Sequence, residues 1–415
     1  MARWQLGRTG IGRRRGQPKN ILVLTEHFTG GGLETQLCTQ AEYLTQQGLR
    51  LHLVTGSPFS QKAADVYASA FHDLPMQTTG QDFLETISRV EEYALHHGID
   101  VIHAHPFLSF AVGMVVAHRL GLPLVATLHG PSSVSLAKDT IYDVLFRHAL
   151  LPGASMLFAV SEEVRFLAQA VAPCSPVLLP NAVPVSAKPP QPPSADLPWV
   201  WGGRIDHDKI VGLKSLIAET LRLRRNVLHI FGDGPERTAL QTHLEDVCPQ
   251  ADWVVYKGWD DHLSDHLSSY SLVAGMGRVL LEAGAASRPC LLVGYDGIKG
   301  LLTESDMGKA AAWNFSGRGL RTISPDEFKA QLQALEQSPQ QFLNHGWIKK
   351  YRSANSVWNY YLNRIGDLEP FSSPVVEDFI GCLKYSGSIG TPLWGDWRVF
   401  VLLNNMIQMR NERKQ

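Results

Sequence analysis

The chain has 415 residues and a balanced charge, with 38 lysines and arginines against 39 aspartates and glutamates. Its length suffices for two domains with separate hydrophobic cores, and its formal net charge of -1 excludes a general electrostatic attraction to nucleic acid. The five cysteines are scattered, without the paired spacing of a zinc or redox site, which predicts reduced thiols in a cytoplasmic protein.

The N-terminal segment, 1–19, is rich in arginine, and we expect it to be a disordered basic arm. It lacks the apolar stretch of a secretory signal. The chain also lacks a run of roughly 20 apolar residues, which a membrane span requires. Because a basic arm can touch anionic lipid, a peripheral contact with a membrane is one expectation.

From residue 20 onward, short apolar segments alternate with longer segments that have apolar residues at helical spacing. This alternation predicts an α/β domain over 20–183, with a parallel sheet covered by helices on both faces. Its predicted strands are 21–25, 51–55, 101–105, 124–129, 156–160 and 177–179.

A proline-rich stretch then interrupts the pattern, and we interpret 184–198 as an interdomain linker, because proline lacks a backbone N–H and favours an extended chain. A second alternating series predicts another doubly wound domain over 199–340. Beyond it, helices are predicted at 326–335, 339–365 and 396–410. The strands predicted in the second domain are 199–201, 227–231, 253–256, 272–274 and 289–293.

Two segments of the second domain have the composition of a nucleoside diphosphate site. Arg204 and Lys209 follow a predicted strand and supply two positive charges for a pyrophosphate. Residues 275–277, Gly-Met-Gly, follow another strand, and glycine amides can approach a ligand closely. The carboxylate of Glu282 can accept hydrogen bonds from ribose hydroxyls.

Several such segments occur in one order between about residue 20 and about residue 365. Together they resemble the retaining, nucleotide-sugar-dependent glycosyltransferases of family 4, which have the GT-B fold. The resemblance implies two facing Rossmann-like doubly wound domains. It also implies an acceptor-binding first domain, a second domain for the nucleotide sugar, and C-terminal helices over 341–415 that cross back onto the first domain.

The resemblance implies roles for individual residues. Gly31 and Gly32 would present backbone amides at a helix N-terminus to the donor phosphate or to the acceptor. His129 would hydrogen-bond a sugar hydroxyl or orient the reacting groups. Arg204 and Lys209 would bind the donor diphosphate and stabilise the charge that grows on it as the glycosidic bond breaks.

The second glycine segment would hold the rest of the donor. By resemblance, Glu282 would bind the ribose. Gly275, Met276 and Gly277 would present backbone near the diphosphate or sugar, and Arg278 would add a positive charge to the nucleotide-sugar site.

One position departs from the family pattern. The family usually has two glutamates separated by seven residues. Glu282 occupies the second position, but the first is Ala274, which cannot accept a hydrogen bond from a sugar hydroxyl. Either another group does that work, or the donor sugar is unusual, or catalysis has been lost. We favour retained activity, because Arg204, Lys209, Glu282 and His129 occur together.

Asp206 and Asp208 are spaced like a metal-binding Asp-x-Asp motif. The family resembled generally needs no metal, so we expect neither a metal ion nor another cofactor, with the nucleotide sugar acting as co-substrate.

The leading hypothesis is a retaining glycosyltransferase, cytoplasmic or peripheral at the membrane, that moves a sugar from a nucleoside diphosphate, UDP being favoured, to an acceptor hydroxyl. The acceptor is a saccharide, a lipid-linked saccharide or another hydroxyl compound, and no nucleic acid partner is expected. Two alternatives share the pocket: a sugar-nucleotide epimerase of the same fold, and a catalytically silent protein that binds nucleotide sugars.

Overall fold

A computed structural model describes residues 18–28, 31–59, 65–74, 80–134, 140–186, 193–250, 252–386 and 397–412. Most of the predicted basic arm and the central part of the predicted linker, 187–192, lie outside these ranges.

The first domain is built around a seven-stranded sheet with the strand order β3-β2-β1-β4-β5-β6-β7. Neighbouring strands all pair in parallel, and the central strands are buried because helices cover both faces. The strands are β1 (Asn20–Thr25), β2 (Arg50–Thr55), β3 (Ser69–Phe71), β4 (Val101–Ala104), β5 (Leu124–Leu128), β6 (Met156–Ala159) and β7 (Val177–Leu178).

Two hydrophobic clusters flank this sheet. Helix α3 is almost wholly buried in one of them, and the buried face of α1 packs in the other. The helices are α1 (Gly32–Gln46), α2 (Gly80–His96), α3 (Leu108–Leu120), α4 (Ile141–Leu145), which continues through a π-helical segment (Phe146–Leu150) and a short turn (Leu151–Gly153), and α5 (Glu162–Val171).

The second domain has a six-stranded sheet with the order β10-β9-β8-β11-β12-β13. Five strands run parallel and β13 pairs antiparallel with β12. The strands are β8 (Trp199–Gly202), β9 (Leu228–Phe231), β10 (Val254–Gly258), β11 (Leu272–Gly275), β12 (Cys290–Gly294) and β13 (Gly297–Leu301).

The helices of this domain begin with polar caps in several cases. Asp206 caps α6, and Ser324 forms a capping box with Glu327 at the start of α11, so each satisfies a backbone amide that the helix leaves free. The helices are α6 (His207–Leu223), α7 (Arg237–Val247), α8 (Leu263–His266), α9 (Arg278–Ala285), α10 (Glu304–Ala312) and α11 (Pro325–Gln337).

The C-terminal helices pack largely on the first domain. Trp358 and Tyr361 enter the cluster around α1, while Phe379 and Leu403 enter the cluster around α3. None of the helices in the described ranges has the length and apolar character to cross a membrane. The helices are α12 (His345–Tyr351), α13 (Ala354–Ile365), α14 (Pro374–Ser386) and α15 (Trp397–Glu412).

The expectation of one helix over 339–365 is wrong. The chain there forms a short 3₁₀ turn, Pro339–Phe342, followed by α12 and α13. The backbone of Val183 intervenes between the two helices, because its N–H donates to Arg352 and its carbonyl accepts from Ala354, both at 2.9 Å. Two strands were also missed, β3 because it is a three-residue edge strand and β13 because glycines interrupt its pattern.

Gly212 tests the packing of α6 on the second sheet. A Cβ at Gly212 would lie 1.9 Å from the carbonyl oxygen of Gly294 in β12, so Gly212→Ala must push the helix away. We expect a loss of about 1–3 kcal/mol in the free energy of unfolding. The control is Gly308→Ala in α10, where no atom lies within 4 Å and alanine should stabilise by up to about 1 kcal/mol. Equal responses of the two variants in urea unfolding would contradict this packing.

Candidate functional site

The candidate site lies at the carboxyl edge of the second sheet, where the loops after β8, β9 and β11 meet. Strands β8 and β11 are neighbours, and Gly202 lies opposite Gly275. A Cβ at Gly275 would lie 2.9 Å from the Gly202 carbonyl oxygen and 2.7 Å from Val279. Gly275 also has a φ of +150°. Both the lack of space and this backbone angle favour glycine here. The register therefore places the two predicted nucleotide-binding segments side by side.

The turn that carries Arg204 is held by the loop after β9. The N–H of Gly203 donates to the carbonyl of Phe231 at 3.1 Å, and the N–H of Ile205 donates to the carbonyl of Asp233 at 2.8 Å. The Arg204 side chain is exposed, and within the described ranges no ion pair or hydrogen bond engages its guanidinium. The backbone is fixed while the charged group remains available to a ligand.

Lys209 lies in the first turn of α6 and interacts twice with Asp206. Its N–H donates to Asp206 Oδ1 at 3.2 Å, and its Nζ lies 3.3 Å from Asp206 Oδ2. The ammonium is thus held at the carboxyl edge of the sheet, although an anionic ligand would compete with this carboxylate for it.

Helix α9 begins at the second glycine segment. Gly277 has a φ of +69°, and its N–H donates to the carbonyl of Phe315 at 2.9 Å. The Gly277 amide is therefore already hydrogen-bonded. The amides of Arg278 and Val279, in the first turn of α9, have no partner within the helix and can donate to a ligand. Phe315 and its neighbour Asn314 both have left-handed backbone angles, which cost energy for residues with a side chain.

Arg278 contacts both its own helix and the first domain. Its Nε donates to Glu282 Oε1 at 2.8 Å. Its Nη1 donates to Gln36 Oε1 at 3.0 Å and to the carbonyl of Ala182 at 2.7 Å, and its Nη2 donates to Thr39 Oγ1 at 3.1 Å. Glu282, the predicted ribose ligand, is thereby oriented by Arg278. A direct contact of Arg278 with a diphosphate remains a prediction.

Ala274 does not face the cleft. It is fully buried on β11, in a hydrophobic cluster with Trp201 and Leu291 on the neighbouring strands. A glutamate here would have to bury its carboxylate among apolar side chains, at a large energetic cost. The chain leaves the sheet at Met276, which is partly buried and packs on the opposite cluster.

In the first domain, His129 follows the carboxyl end of β5 and pairs with His105. Its Nε2 lies 2.7 Å from His105 Nδ1, and its backbone N–H donates to Ser133 Oγ at 3.0 Å. One imidazole must donate to the other, so neither can be turned independently. His129 is partly buried, and desolvation lowers its pKa to about 4.

A second buried histidine connects this pair to the C-terminal helices. His103 Nε2 lies 2.8 Å from Thr127 Oγ1, and its Nδ1 lies 3.0 Å from the Tyr361 hydroxyl on α13. Desolvation, aided by the nearby His129, lowers the pKa of His103 to about 3, and burial also depresses the pKa of His105. All three imidazoles are therefore neutral at pH 7.

The glycine loop of the first domain begins α1. Gly31 precedes the helix, and a Cβ at Gly32 would meet no other atom within 4 Å. Glu34 is largely buried in the first turn of the helix, and its Oε2 would lie 2.9 Å from a Cβ at Gly31. This carboxylate makes the N-terminus of α1 less favourable for a phosphate than the glycines alone suggest.

Lys299 and the aspartates Asp206 and Asp208 are further charged residues of the second domain, of types that can contact a ligand or a metal ion. Lys299 follows a predicted strand, but its side chain is only 2% exposed and its Nζ lies 2.6 Å from Asp296 Oδ1, so it is not free to enter the cleft. Within the described part of the chain, no group of histidines, cysteines or carboxylates has an arrangement that could hold a metal ion. The expectation that Asp206 and Asp208 bind no metal remains a prediction.

The sequence reasoning missed Gln36 and Thr39. Both are buried, and both accept hydrogen bonds from Arg278. Their three-residue spacing places them on one helical face. Two polar residues on the buried face of α1 were therefore the sequence signal that this face contacts a polar partner.

Comparison with known proteins gives a partial match in sequence. Residues 30–187 match the model of Glycosyltransferase Family 4. The D-inositol 3-phosphate glycosyltransferase of Kribbella flavida is 28% identical over 168 residues, which cover 38% of this chain and 38% of that protein. The protein of the same name from Xylanimonas cellulosilytica is 27% identical over 164 residues, covering 38% and 37%. The alignments thus span well under half the length of these curated relatives.

The match to solved structures covers most of the chain. Anabaena Alr3699/HepE in complex with UDP and glucose has a TM-score of 0.64 at 16% identity, covering 84% of this chain and 99% of that chain. Sucrose-phosphate synthase from Thermosynechococcus elongatus has a TM-score of 0.55 at 15% identity, covering 90% and 100%. At these identities the likeness shows the fold. The predicted fold class and the resemblance to family 4 are confirmed.

The buried histidines predict a loss of stability in mild acid. Their pKa values in the folded chain lie below the unfolded value of 6.5, so the unfolded chain binds more protons below about pH 6.5. The contribution of these histidines to stability is therefore fully present above this pH and should be lost as the pH drops toward 4, by up to about 1.4 kcal/mol per pH unit for each histidine.

Thermal unfolding between about pH 7 and pH 5 measures this dependence. His129→Asn should weaken it. The matched control is His207→Asn, because the His207 side chain is 93% exposed and should contribute little. An equal pH dependence in both variants and the parent protein would contradict the assignment.

Proposed function

We propose that this chain, a family 4-like protein of the GT-B fold, is a retaining glycosyltransferase that moves a sugar from a nucleoside diphosphate, UDP by preference, to an acceptor hydroxyl. The observation that carries the proposal is the register of β8 and β11, with Gly202 opposite Gly275. It juxtaposes the cations that follow β8 with the glycine turn and helix N-terminus that follow β11.

The donor binds the second domain. Arg204 and Lys209 contact the diphosphate from one side, and the first-turn amides of α9 approach it from the other, where the helix dipole favours negative charge. Glu282, partly exposed at 19%, accepts hydrogen bonds from the ribose. The anionic end and the ribose of the donor thus have separate partners in neighbouring segments.

Catalysis follows from stabilising the leaving group. The anomeric carbon loses its bond to the diphosphate oxygen and gains one to the acceptor oxygen, while the acceptor proton passes to the diphosphate. Arg204 and Lys209 stabilise the negative charge that develops on the leaving diphosphate. His129, held neutral by desolvation, supplies a hydrogen bond to a sugar hydroxyl rather than a positive charge.

Because Ala274 is buried in the core, the donor sugar has no carboxylate partner at that position. Backbone around Met276 and the first turn of α9 contacts it instead. This supports retained activity, since the alanine removes nothing from the surface of the cleft.

The acceptor binds the first domain, near Gly31 and Gly32. Glu34 lies beside this loop, and a carboxylate there disfavours a second phosphate but can accept a hydrogen bond from a hydroxyl. A neutral hydroxyl compound therefore fits this side of the cleft better than an anionic one.

We further propose that the reaction takes place in the cytoplasm. All five cysteines are free thiols, which supports a reducing compartment. Peripheral contact with a membrane stays a prediction. Helix α15 is compatible with it, because Trp397 is 71% exposed and Met409 is 51% exposed.

Substitution of the two cations tests the proposal. Arg204→Gln and Lys209→Gln should each lower the rate of transfer by about 100-fold or more, because each removes a charge that acts on the leaving group. The matched control is Lys329→Gln on α11, an exposed position on a helix that packs against β13. It should leave the rate unchanged.

Ligand binding and product analysis complete this test. UDP at a hundred times its dissociation constant should stabilise the protein by about 2.7 kcal/mol, and the product should keep the anomeric configuration of the donor. Near-normal rates in both cation variants, or no stabilisation by any nucleoside diphosphate, would contradict the proposal. Conversion of a donor sugar in the absence of an acceptor would favour the epimerase instead.

A further inference from the structure

We propose that Arg278 is a positioning residue that couples donor binding to the contact between the two domains. This inference rests on the proposed function, since it assigns Glu282 to the donor ribose. It differs from the expected role of Arg278 as an additional cation for the nucleotide sugar.

The guanidinium is already committed to protein partners. A guanidinium has five N–H donors, and the four hydrogen bonds to Glu282, Gln36, Ala182 and Thr39 use all three of its nitrogens. The side chain is only 10% exposed. One N–H of Nη2 is left over, so a diphosphate could gain more than a single hydrogen bond from Arg278 only if these buried groups lost their partner, which would carry a desolvation cost.

Gln36 and Thr39, the side chains of the first domain that accept hydrogen bonds from Arg278, are themselves held in place by other hydrogen bonds. Gln36 Oε1 also accepts from the N–H of Ala182 at 2.9 Å. Thr39 Oγ1 donates to the carbonyl of Thr35 at 2.9 Å, so toward Arg278 it serves as an acceptor. Gln36 is 4% exposed and Thr39 is 6% exposed. Arg278 thus completes a prepared set of acceptors when the two domains meet.

The position of the arginine in its own helix is unfavourable without this contact. Arg278 is the first residue of α9, whose first turn has no acidic residue. A cation at a helix N-terminus opposes the helix dipole. Glu282 one turn later and the acceptors on α1 offset this repulsion.

The contact connects the two halves of the cleft. Glu282 lies on the donor side, while Gln36 and Thr39 lie on α1, the helix that begins beside the glycine loop proposed for the acceptor. A ribose that requires Glu282 in its present orientation therefore favours the arrangement in which Arg278 reaches α1. By thermodynamic linkage, the contact to α1 must favour donor binding to the same extent.

Gln36 provides the sharpest test, because it lies on the first domain and is not assigned to the donor or acceptor site. Gln36→Leu removes the acceptor for Arg278, and we expect it to weaken UDP binding by about five- to tenfold. Gln36→Glu keeps an oxygen acceptor for both Arg278 and Ala182, so it should retain the affinity to within about twofold. Gln46→Leu, an exposed position on the same helix, is the matched control and should have no effect.

Titration calorimetry with UDP and the 415-residue chain gives these affinities, and thermal unfolding reports stability separately. In an Arg278→Leu background, Gln36→Leu should cause no further loss of UDP affinity, because the coupled pair is already broken. Gln36→Leu that lowers the Tm while UDP affinity stays at the level of the parent protein would show a merely structural contact and overturn the coupling. A parent protein that binds no nucleoside diphosphate would instead overturn the proposed function, and the coupling with it.

Discussion

The close approach of β8 and β11 at their carboxyl ends governs the architecture of the candidate site. The contact distances at Gly275 leave no room for a side chain against Gly202 and Val279. Gly232 and Gly234 allow the loop after β9 to approach the Arg204 turn in the same way, with Cβ positions 2.1 Å and 2.3 Å from carbonyl oxygens. Glycine is required here because three loops share a space that backbone atoms alone can fill.

The domains are joined by polar contacts as well as by the returning helices. Arg318 of the second domain binds Glu163 at the start of α5, with an Nε to Oε1 distance of 2.6 Å, and Asn181 donates to Asn314 at 3.2 Å. Together with Arg278, these contacts are directional, so they favour one relative arrangement of the two domains. Apolar packing by α13, in contrast, anchors the C-terminal segment to the first domain.

Much of the fold could be predicted because its strands are buried on both faces and thus form continuous apolar runs. The prediction failed where this signal is weak. β13 contains Gly300 and Lys299, whose ammonium is neutralised by Asp296, and a strand with such composition is not recognisable from propensity. The long helix expected at 339–365 failed because Val183, distant in sequence, bonds to the backbone between α12 and α13.

The amino-acid sequence was sufficient to predict the alternating α/β pattern and the chemical types at the candidate site: the cations Arg204 and Lys209, the glycines at 275 and 277, and the carboxylate of Glu282. The location of each side chain came from the folded structure. Ala274 is buried in the core, and Arg278 points to α1. The physical reason is that a residue's partners are set by strand register and domain packing, and these depend on contacts between residues far apart in the chain.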